Sequence, residues 1–167
     1  MARTKAKAGG KKVRYQHIFA TREHWRIENI RQLKTGWNDN IVGFYAGRRG
    51  DWRNIGSGEL RLTDTKRKYV QTDSMGLHDD AREKGHGIHL YFAMIHSAKR
   101  IGAHRIYSSR HLNEHSGNMW CNKLREFFDV RGPKDKKPCN CKCRNCRRKW
   151  GRYYIDLTKL KLRSLPL

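Results

Sequence analysis

Arg82-Glu83-Lys84-Gly85-His86-Gly87 runs without a break into an apolar-periodic segment, Ile88, Leu90, Ala93, Met94 and Ala98. Glycines at the mouth of a helix let backbone N–H groups come close to a ligand, and a helix N-terminus carries about half a positive charge. Such a loop can cradle a phosphate. The same Gly-x-Gly also occurs as a plain turn, so its meaning depends on its surroundings.

Upstream, Ile41 to Ala46, Glu59 to Leu62 and Tyr69 to Leu77 read as strands, with Gly47 to Gly58 as a polar loop or hairpin containing Trp52. Before them, Val13, Tyr15 and His17 alternate with basic residues as in a strand. Trp25, Ile27, Ile30 and Leu33 then recur at helical spacing between Thr21, a candidate N-cap, and the stop Gly36. Downstream, a helix is expected from Gly87 to Arg100, ended by Gly102, followed by a strand Arg105–Tyr107. A second helix is expected from Glu114 to Leu124 with Asn113 as its cap, then strands at Phe127–Val130 and Tyr153–Leu157. This alternation predicts an α/β (α+β) fold, a mixed central sheet flanked by helices in one domain over 13–167. Residues 1–12 are small and basic with nothing to bury, and read as a disordered arm.

The chain has 167 residues, 37% hydrophobic and 32% charged, enough for one domain with a core. Its 38 Lys and Arg against 15 Asp and Glu give a formal charge of +23. A charge of that size, spread along the chain, favours a polyanionic partner: nucleic acid, DNA or RNA, or a ribonucleoprotein. No basic amphipathic helix points to a membrane surface. No apolar run approaches the roughly 20 residues of a membrane span, and the N-terminus lacks a signal-peptide core. A reducing, cytoplasmic location follows as an expectation, with four of five cysteines clustered as metal ligands would be rather than paired as disulfides.

The element order, with a phosphate loop between the fourth strand and its helix, resembles the GNAT superfamily of acyl-CoA-dependent N-acyltransferases. The family's Arg/Gln-x-x-Gly-x-Gly/Ala loop is matched by Arg82, Gly85 and Gly87, with Leu90 at the apolar position that follows. Leu77 stands where the fourth strand normally ends, and Asp79 and Asp80 occupy the short connection. The family's Asn-x-x-Ala-x-x-x-Tyr helix is met by Asn113, Ser116 and Trp120. The resemblance implies acetyl-CoA or another acyl-CoA as cofactor. The amides of Lys84, Gly85, His86, Gly87 and Ile88 would hold its pyrophosphate, and Arg82 would contact phosphate or face solvent. The strand edge at Leu77 would pair with the pantetheine amides. Asn113 and Ser116 would reach the cofactor arm, although a helix-cap role explains Asn113 equally well.

The departure from the family lies where the chemistry lies. Trp120 occupies the position often held by a tyrosine general acid, and an indole N–H is no proton donor to a thiolate. Cys121 or a water could substitute. For a general base the candidates are Glu59 and, near the expected acyl site, His78 or His111.

Cys139-x-Cys141-x-Cys143-x-x-Cys146 lies among Lys136, Lys137, Arg144, Arg147, Arg148 and Lys149, within a basic insertion at 133–150. Four thiols can form a tetrahedral zinc site, and basic neighbours favour thiolates. The spacing is tighter than paired Cys-x-x-Cys knuckles, so three thiols with or without a histidine, or a reduced basic loop, are the alternatives. The basic residues would grip a phosphate backbone, and Trp150, Tyr153 and Tyr154 either stack on bases or belong to the core. His111 and His115 share a helical spacing that keeps a metal pair open.

Three functions follow. The leading one is an N-acetyltransferase acting on an amine in, or associated with, nucleic acid. The others are a non-catalytic GNAT-fold protein that binds DNA, RNA or a ribonucleoprotein, and a metal-dependent GNAT-fold enzyme that modifies DNA bases, of phage type.

Overall fold

The computed structural model describes residues 13–21, 39–48, 51–109, 112–132 and 153–161. These form one seven-stranded sheet with two α-helices. The strands are β1 (Arg14–Thr21), β2 (Asp39–Arg48), β3 (Asp51–Asp64), β4 (Tyr69–Leu77), β5 (Arg105–Tyr107), β6 (Val130–Arg131) and β7 (Tyr154–Asp156). The helices are α1 (Gly87–Arg100) and α2 (Glu114–Cys121). Spatial order is β1-β2-β3-β4-β5-β7-β6, antiparallel except for β4 and β5, which are parallel and joined by the α1 crossover.

Alternation decides which side chains meet α1. Val42, Phe44, Leu60, Val70, Ile106 and Ile155 sit on one face of successive strands, and all are buried. Gly58 lets α1 come close: a Cβ there would lie 2.9 Å from Met94 Sδ and 3.0 Å from Met75 Cγ. Helix α1 is buried on almost every side, from Leu90 through Ile95 and at Ser97 and Ala98. The sheet covers one flank, while Trp120 of α2 packs edge-on against Tyr91, and Phe127 and Phe128 pack edge-on against Phe92. A helix buried on so many sides belongs inside a fold, as this one does, with His89 and His96 on the flank toward β1. It ends in a Schellman motif: Gly102, at φ +83°, donates to Lys99 O, and Ala103 donates to Ala98 O at 3.0 Å.

The structure corrects several sequence boundaries. Thr21 is the last residue of β1, paired with Asn40, and the helix it was expected to cap lies outside the described residues. Of the polar loop or hairpin expected from Gly47 to Gly58, the structure shows the hairpin. β2 runs to Arg48 and β3 begins at Asp51, because sheet hydrogen bonds, not burial, hold the exposed residues Asp51 to Asn54. Helix α2 stops at Cys121, and a 3₁₀ turn at Lys123–Glu126 replaces its expected last turn. Of Phe127–Val130 only Val130 is strand, and Phe127 is 51% exposed. The last strand is Tyr154–Asp156, shorter at both ends than expected. The arm at 1–12, the helical pattern from Trp25 to Leu33, and the insertion at 133–150 lie outside the described residues.

β1 is held to α1 by rings. Tyr15 stacks on Phe44 and on His89, with centroids 5.5 and 3.9 Å apart, and its hydroxyl lies 3.1 Å from His86 Nδ1. His17 Nε2 is 2.9 Å from His96 Nδ1. Burial pushes His17 down to about 4, with His96 and Arg100 adding positive charge beside it, and burial followed by Arg100 lowers His96. A neutral pair can share one proton; two charged rings at that distance repel.

The unfolded chain therefore takes up protons before the folded one does. Stability from this contact should be full above pH ~6.5, the ordinary histidine value, and fall progressively as pH drops toward 4. Urea unfolding at stepped pH should show that loss, and His17→Leu should flatten it. A profile unchanged between pH 7 and pH ~4 would contradict the pairing.

Candidate functional site: the cleft between two parting strands

β4 and β5 pair over three residues only, Tyr69 with Arg105, Val70 with Ile106 and Gln71 with Tyr107. Beyond Tyr107 the chain stays with β7: Ser108 N donates to Tyr153 O at 2.8 Å, and Tyr153 N donates to Ser108 Oγ at 3.1 Å. β4 turns the other way. Between Glu59↔Asp73 and Ser57↔Gly76, one residue of β3 faces two of β4, so Ser74 and Met75 form a bulge with Ser74 at φ +45°. Thr72 Oγ1 still reaches Tyr107 O at 3.2 Å, and after it the edge of β4 has no partner strand among the described residues. A Cβ on Gly76 would meet nothing within 4 Å.

The glycine loop stands at the end of this edge. A 3₁₀ turn at Asp79–Ala81 leads into it and is tied to β3 by three contacts. His78 N donates to Ile55 O at 2.9 Å, His78 Nε2 lies 2.7 Å from Asn54 Oδ1, and Asp80 pairs with Arg53. Glu83 and Gly85 have φ of +60° and +78°, which turn the backbone sharply before α1. A Cβ at Gly85 would meet nothing within 4 Å, so the glycine there serves the backbone angle. His86 occupies the N-cap without a side-chain cap, so the first amides of α1 keep their free donors. That arrangement fits an anionic group, and Lys84 is exposed beside it.

Arg82 does not point its guanidinium at the helix mouth. Its Nε donates to Leu77 O at 3.2 Å, and Nη1 pairs with Asp79 at 2.9 Å. His78 N faces β3, so across a trans peptide Leu77 O faces the cleft. Arg82 thus occupies the carbonyl that a ligand pairing with the edge at Leu77 would use.

On the far wall, Asn113 and Ser116 form a reciprocal cap. Asn113 Oδ1 accepts from Ser116 N at 2.8 Å, and Ser116 Oγ accepts from Asn113 N at 3.0 Å. The cap accounts for the Asn113 oxygen, and α2 reaches the mouth of α1 through Met119 Cε, which would lie 3.4 Å from a Cβ at Gly87. Trp120 is 0% exposed and its Nε1 has no hydrogen-bond partner. It is a core residue, not a cleft residue with a changed headgroup. Cys121 Sγ donates to Tyr153 Oη at 2.9 Å; burial raises the thiol against the opposing pull of Tyr153 and Arg125.

The base candidates separate. Glu59 projects on the sheet face opposite α1, directly across from Asp73, and Arg61 lies 3.9 Å from Glu59 and 3.2 Å from Asp73. His78 is exposed and engaged by Asn54. His111 lies outside the described residues, as do Lys136, Lys137, Cys139, Cys141, Cys143, Arg144, Cys146, Arg147, Arg148, Lys149 and Trp150. Among the described residues no group of three or more His, Cys, Asp or Glu is placed to hold a metal ion. No helix among them is long and apolar enough to cross a membrane.

Asp73 escaped the sequence reading. It sits at the bulge, with its Oδ1 accepting from Ser74 N at 2.9 Å. The only trace in the sequence is the alternation Tyr69, Gln71, Asp73, which places it on the face of Glu59 once β3 and β4 are paired.

A mixed sheet with parting β4 and β5 strands, a glycine loop at the end of β4 and a crossover helix behind it is the GNAT arrangement. The fold is GNAT-like. No family model matches the chain, and no curated protein matches it. Among solved structures, spermidine N-acetyltransferase from Vibrio cholerae in complex with CoA and spermine is similar at 14% identity. The match covers 72% of this chain and 67% of that one, with TM-score 0.49. The cAMP-binding acyltransferase from Mycobacterium smegmatis is similar at 15% identity over 78% of this chain and 34% of that one, TM-score 0.47. N-acetylglutamate synthase from Neisseria gonorrhoeae, complexed with coenzyme A and N-acetyl-glutamate, is 16% identical over 70% and 25%, TM-score 0.42. The GNAT-like chain thus spans about a third of the cAMP-binding acyltransferase and a quarter of the synthase.

Since Trp120 fills the core, Trp120→Ala should cost about 3–5 kcal/mol of unfolding free energy in urea. Trp120→Tyr should also destabilise, because a phenol there buries a hydroxyl where Nε1 already finds no partner. A neutral outcome for both would place Trp120 at the surface of the cleft instead.

Proposed function

We propose that the protein is an acyl-CoA-dependent N-acyltransferase whose acceptor is an amine in, or bound with, nucleic acid. The observation that carries this reading is the parting of β4 from β5 beside an uncapped α1 N-terminus. Acyl-CoA supplies an activated thioester carbonyl. The amides at Gly85 to Ile88 hold the pyrophosphate against the helix dipole. The edge of β4 left unpaired among the described residues would receive the extended pantetheine arm as an added strand would, with Arg82 displaced from Leu77 O. The bulge at Ser74 and Met75 turns peptide groups out of the ladder, where they polarise the thioester carbonyl.

The acceptor approaches from the face that carries Glu59 and Asp73. Either carboxylate takes the ammonium proton, directly or through a water, so that the free amine attacks. Asp73 lies beside the bulge and Glu59 one strand further away, which favours Asp73. Cys121, its thiol raised by burial and donating to Tyr153 Oη in the free protein, is the candidate on α2 to return a proton to the departing thiolate. The net charge of +23 supports a polyanionic carrier for the amine.

Trp120 favours a second reading, a GNAT-fold protein that binds nucleic acid without catalysis, because the usual hydroxyl on that helix is replaced by a buried indole. Titration of the protein with acetyl-CoA in a calorimeter separates the two. Micromolar binding is expected, lost in Gly85→Asp, whose carboxylate would face the pyrophosphate; a folded wild type that takes up no acetyl-CoA would defeat the acyltransferase reading and leave the second reading together with the metal-dependent base-modifying enzyme. With an acceptor in hand, Asp73→Asn should lower kcat by about a hundredfold or more while acetyl-CoA still binds, and an unchanged kcat would remove Asp73 from the chemistry.

A further inference from the structure

The sheet face opposite α1 carries a row of side chains in register across five strands. Arg61 pairs with Gln71, Gln71 with Tyr107, Tyr107 with Tyr154, and Tyr154 with Arg131, linking β3, β4, β5, β7 and β6. At the usual strand spacing of about 4.8 Å the row is about 19 Å long. Its ends are guanidiniums 48% and 54% exposed, and its centre is two phenol rings with centroids 5.3 Å apart and planes tilted by 33°. Tyr69 extends the aromatic patch, 5.6 Å from Tyr107 and tilted by 55°. Arg105 braces it, with Cζ 5.0 Å from the Tyr69 ring and 4.9 Å from the Tyr154 ring. The rings are half-buried, and Gln71 beneath them is 8% exposed, so the patch is a supported surface rather than a set of loose side chains.

We propose that this tyrosine–arginine face of β4, β5 and β7 binds single-stranded nucleic acid by stacking bases on Tyr107, Tyr154 and Tyr69. The inference rests on the nucleic-acid partner of the reading above and on nothing in the cofactor cleft. Flat aromatic rings and a guanidinium plane on a sheet face that neither described α-helix covers match the π-faces of unpaired bases, which a duplex does not offer. The charge of the chain selects a polyanion over a neutral aromatic ligand. Four carboxylates outnumber the three guanidiniums named on the face, Arg61, Arg105 and Arg131. Glu59 and Asp73 lie against Arg61, Asp129 is 3.0 Å from Arg131, and Asp156 stands across from Arg105. Binding here therefore depends on stacking more than on ion pairs, and on no particular base sequence. Of the aromatic residues that the sequence singled out beside the cysteines, Tyr154 belongs to this face, whereas Tyr153 is buried under it and bonded to Cys121.

The test is fluorescence anisotropy with labelled oligouridylate and oligothymidylate of about twelve nucleotides and a duplex of equal length, within the site sizes of sheet-based single-strand binders. Both single strands should bind more tightly than the duplex. The double variant Tyr107→Leu with Tyr154→Leu should lose roughly tenfold per ring, by the same factor at low and high salt, and the matching Phe pair should bind as wild type does. Undiminished binding by the Leu pair, a duplex bound as tightly, or a loss that disappears with added salt would overturn the proposal. Should the Leu pair not fold by circular dichroism, wild-type protein is irradiated with an oligonucleotide containing 5-iodouracil. Cross-links at Tyr69, Tyr107 or Tyr154 support the face, and cross-links confined elsewhere overturn it. Acetyl-CoA titration of the same samples keeps the outcomes apart, since a wild type that binds single strands but no acetyl-CoA defeats the acyltransferase reading and leaves this one standing.

Discussion

Three residues of parallel pairing join β4 to β5, and the architecture of the site depends on their being so few. Two local causes pull the strands apart immediately beyond. Ser108, fully buried, exchanges hydrogen bonds with Tyr153 and so commits the chain after β5 to β7. The bulge at Ser74 and Met75 bends β4 toward β3, where Gly56 and Gly58 leave room for it. A Cβ on Gly56 would lie 2.5 Å from Gly76 O, which shows how closely the end of β4 is laid on β3. An unpaired backbone edge inside a fold is costly unless something satisfies it. Arg82, reaching Leu77 O, satisfies part of that requirement in the free protein.

The cleft is rigid on one side and adjustable on the other. The glycine loop is anchored to β3 through Ile55, Asn54 and Arg53, and α1 behind it is buried on nearly every side. Moving α1 would disturb the whole core, so the free amides at its N-terminus are held in fixed positions. Arg82 and Asp79 are exposed, and their contacts are of the kind that a phosphate could displace at little cost. β1 is attached through Tyr15 and His17 to three histidines of the α1 region, one of them the N-cap residue His86. The protonation state of that seam therefore bears on the same loop that the phosphate reading depends on.

The two faces of the sheet divide the work. One is apolar and closed by α1, with α2 packed behind; the other presents tyrosines, arginines and carboxylates from five strands. Glu59 and Asp73 lie at the cleft end of that second face, and Tyr107 and Tyr154 lie toward β7. A nucleic acid stacked on the rings would present an attached amine close to the carboxylates and the bulge. The surface that recognises the carrier and the groups that handle the proton would then belong to one continuous side of the protein.

Local order was legible in the sequence wherever a local rule controls it. Gly85 and Gly87 before a helical apolar period placed the glycine loop and α1, Gly102 placed its end, and Asn113 placed the cap of α2, because each of these is decided within a few residues. Alternation marked β4 and the centre of β2. It could not mark Asp51 to Asn54, where ladder hydrogen bonds rather than burial make the strand. Trp120 shows the converse limit: motif spacing set it in the second helix, but whether its ring faces the cleft or the core depends on Tyr91, almost thirty positions away. The sequence by itself determined the order of the described strands and helices, though not all their bounds, and the charge of +23. Only the tertiary structure decided that β4 and β5 part after Gln71, that Asp73 stands beside Glu59, and that Tyr69, Tyr107 and Tyr154 share one face. Those facts are pairings between distant strands, and strand register is set by the hydrogen bonds and packing of the assembled sheet, not by the residues of any one strand.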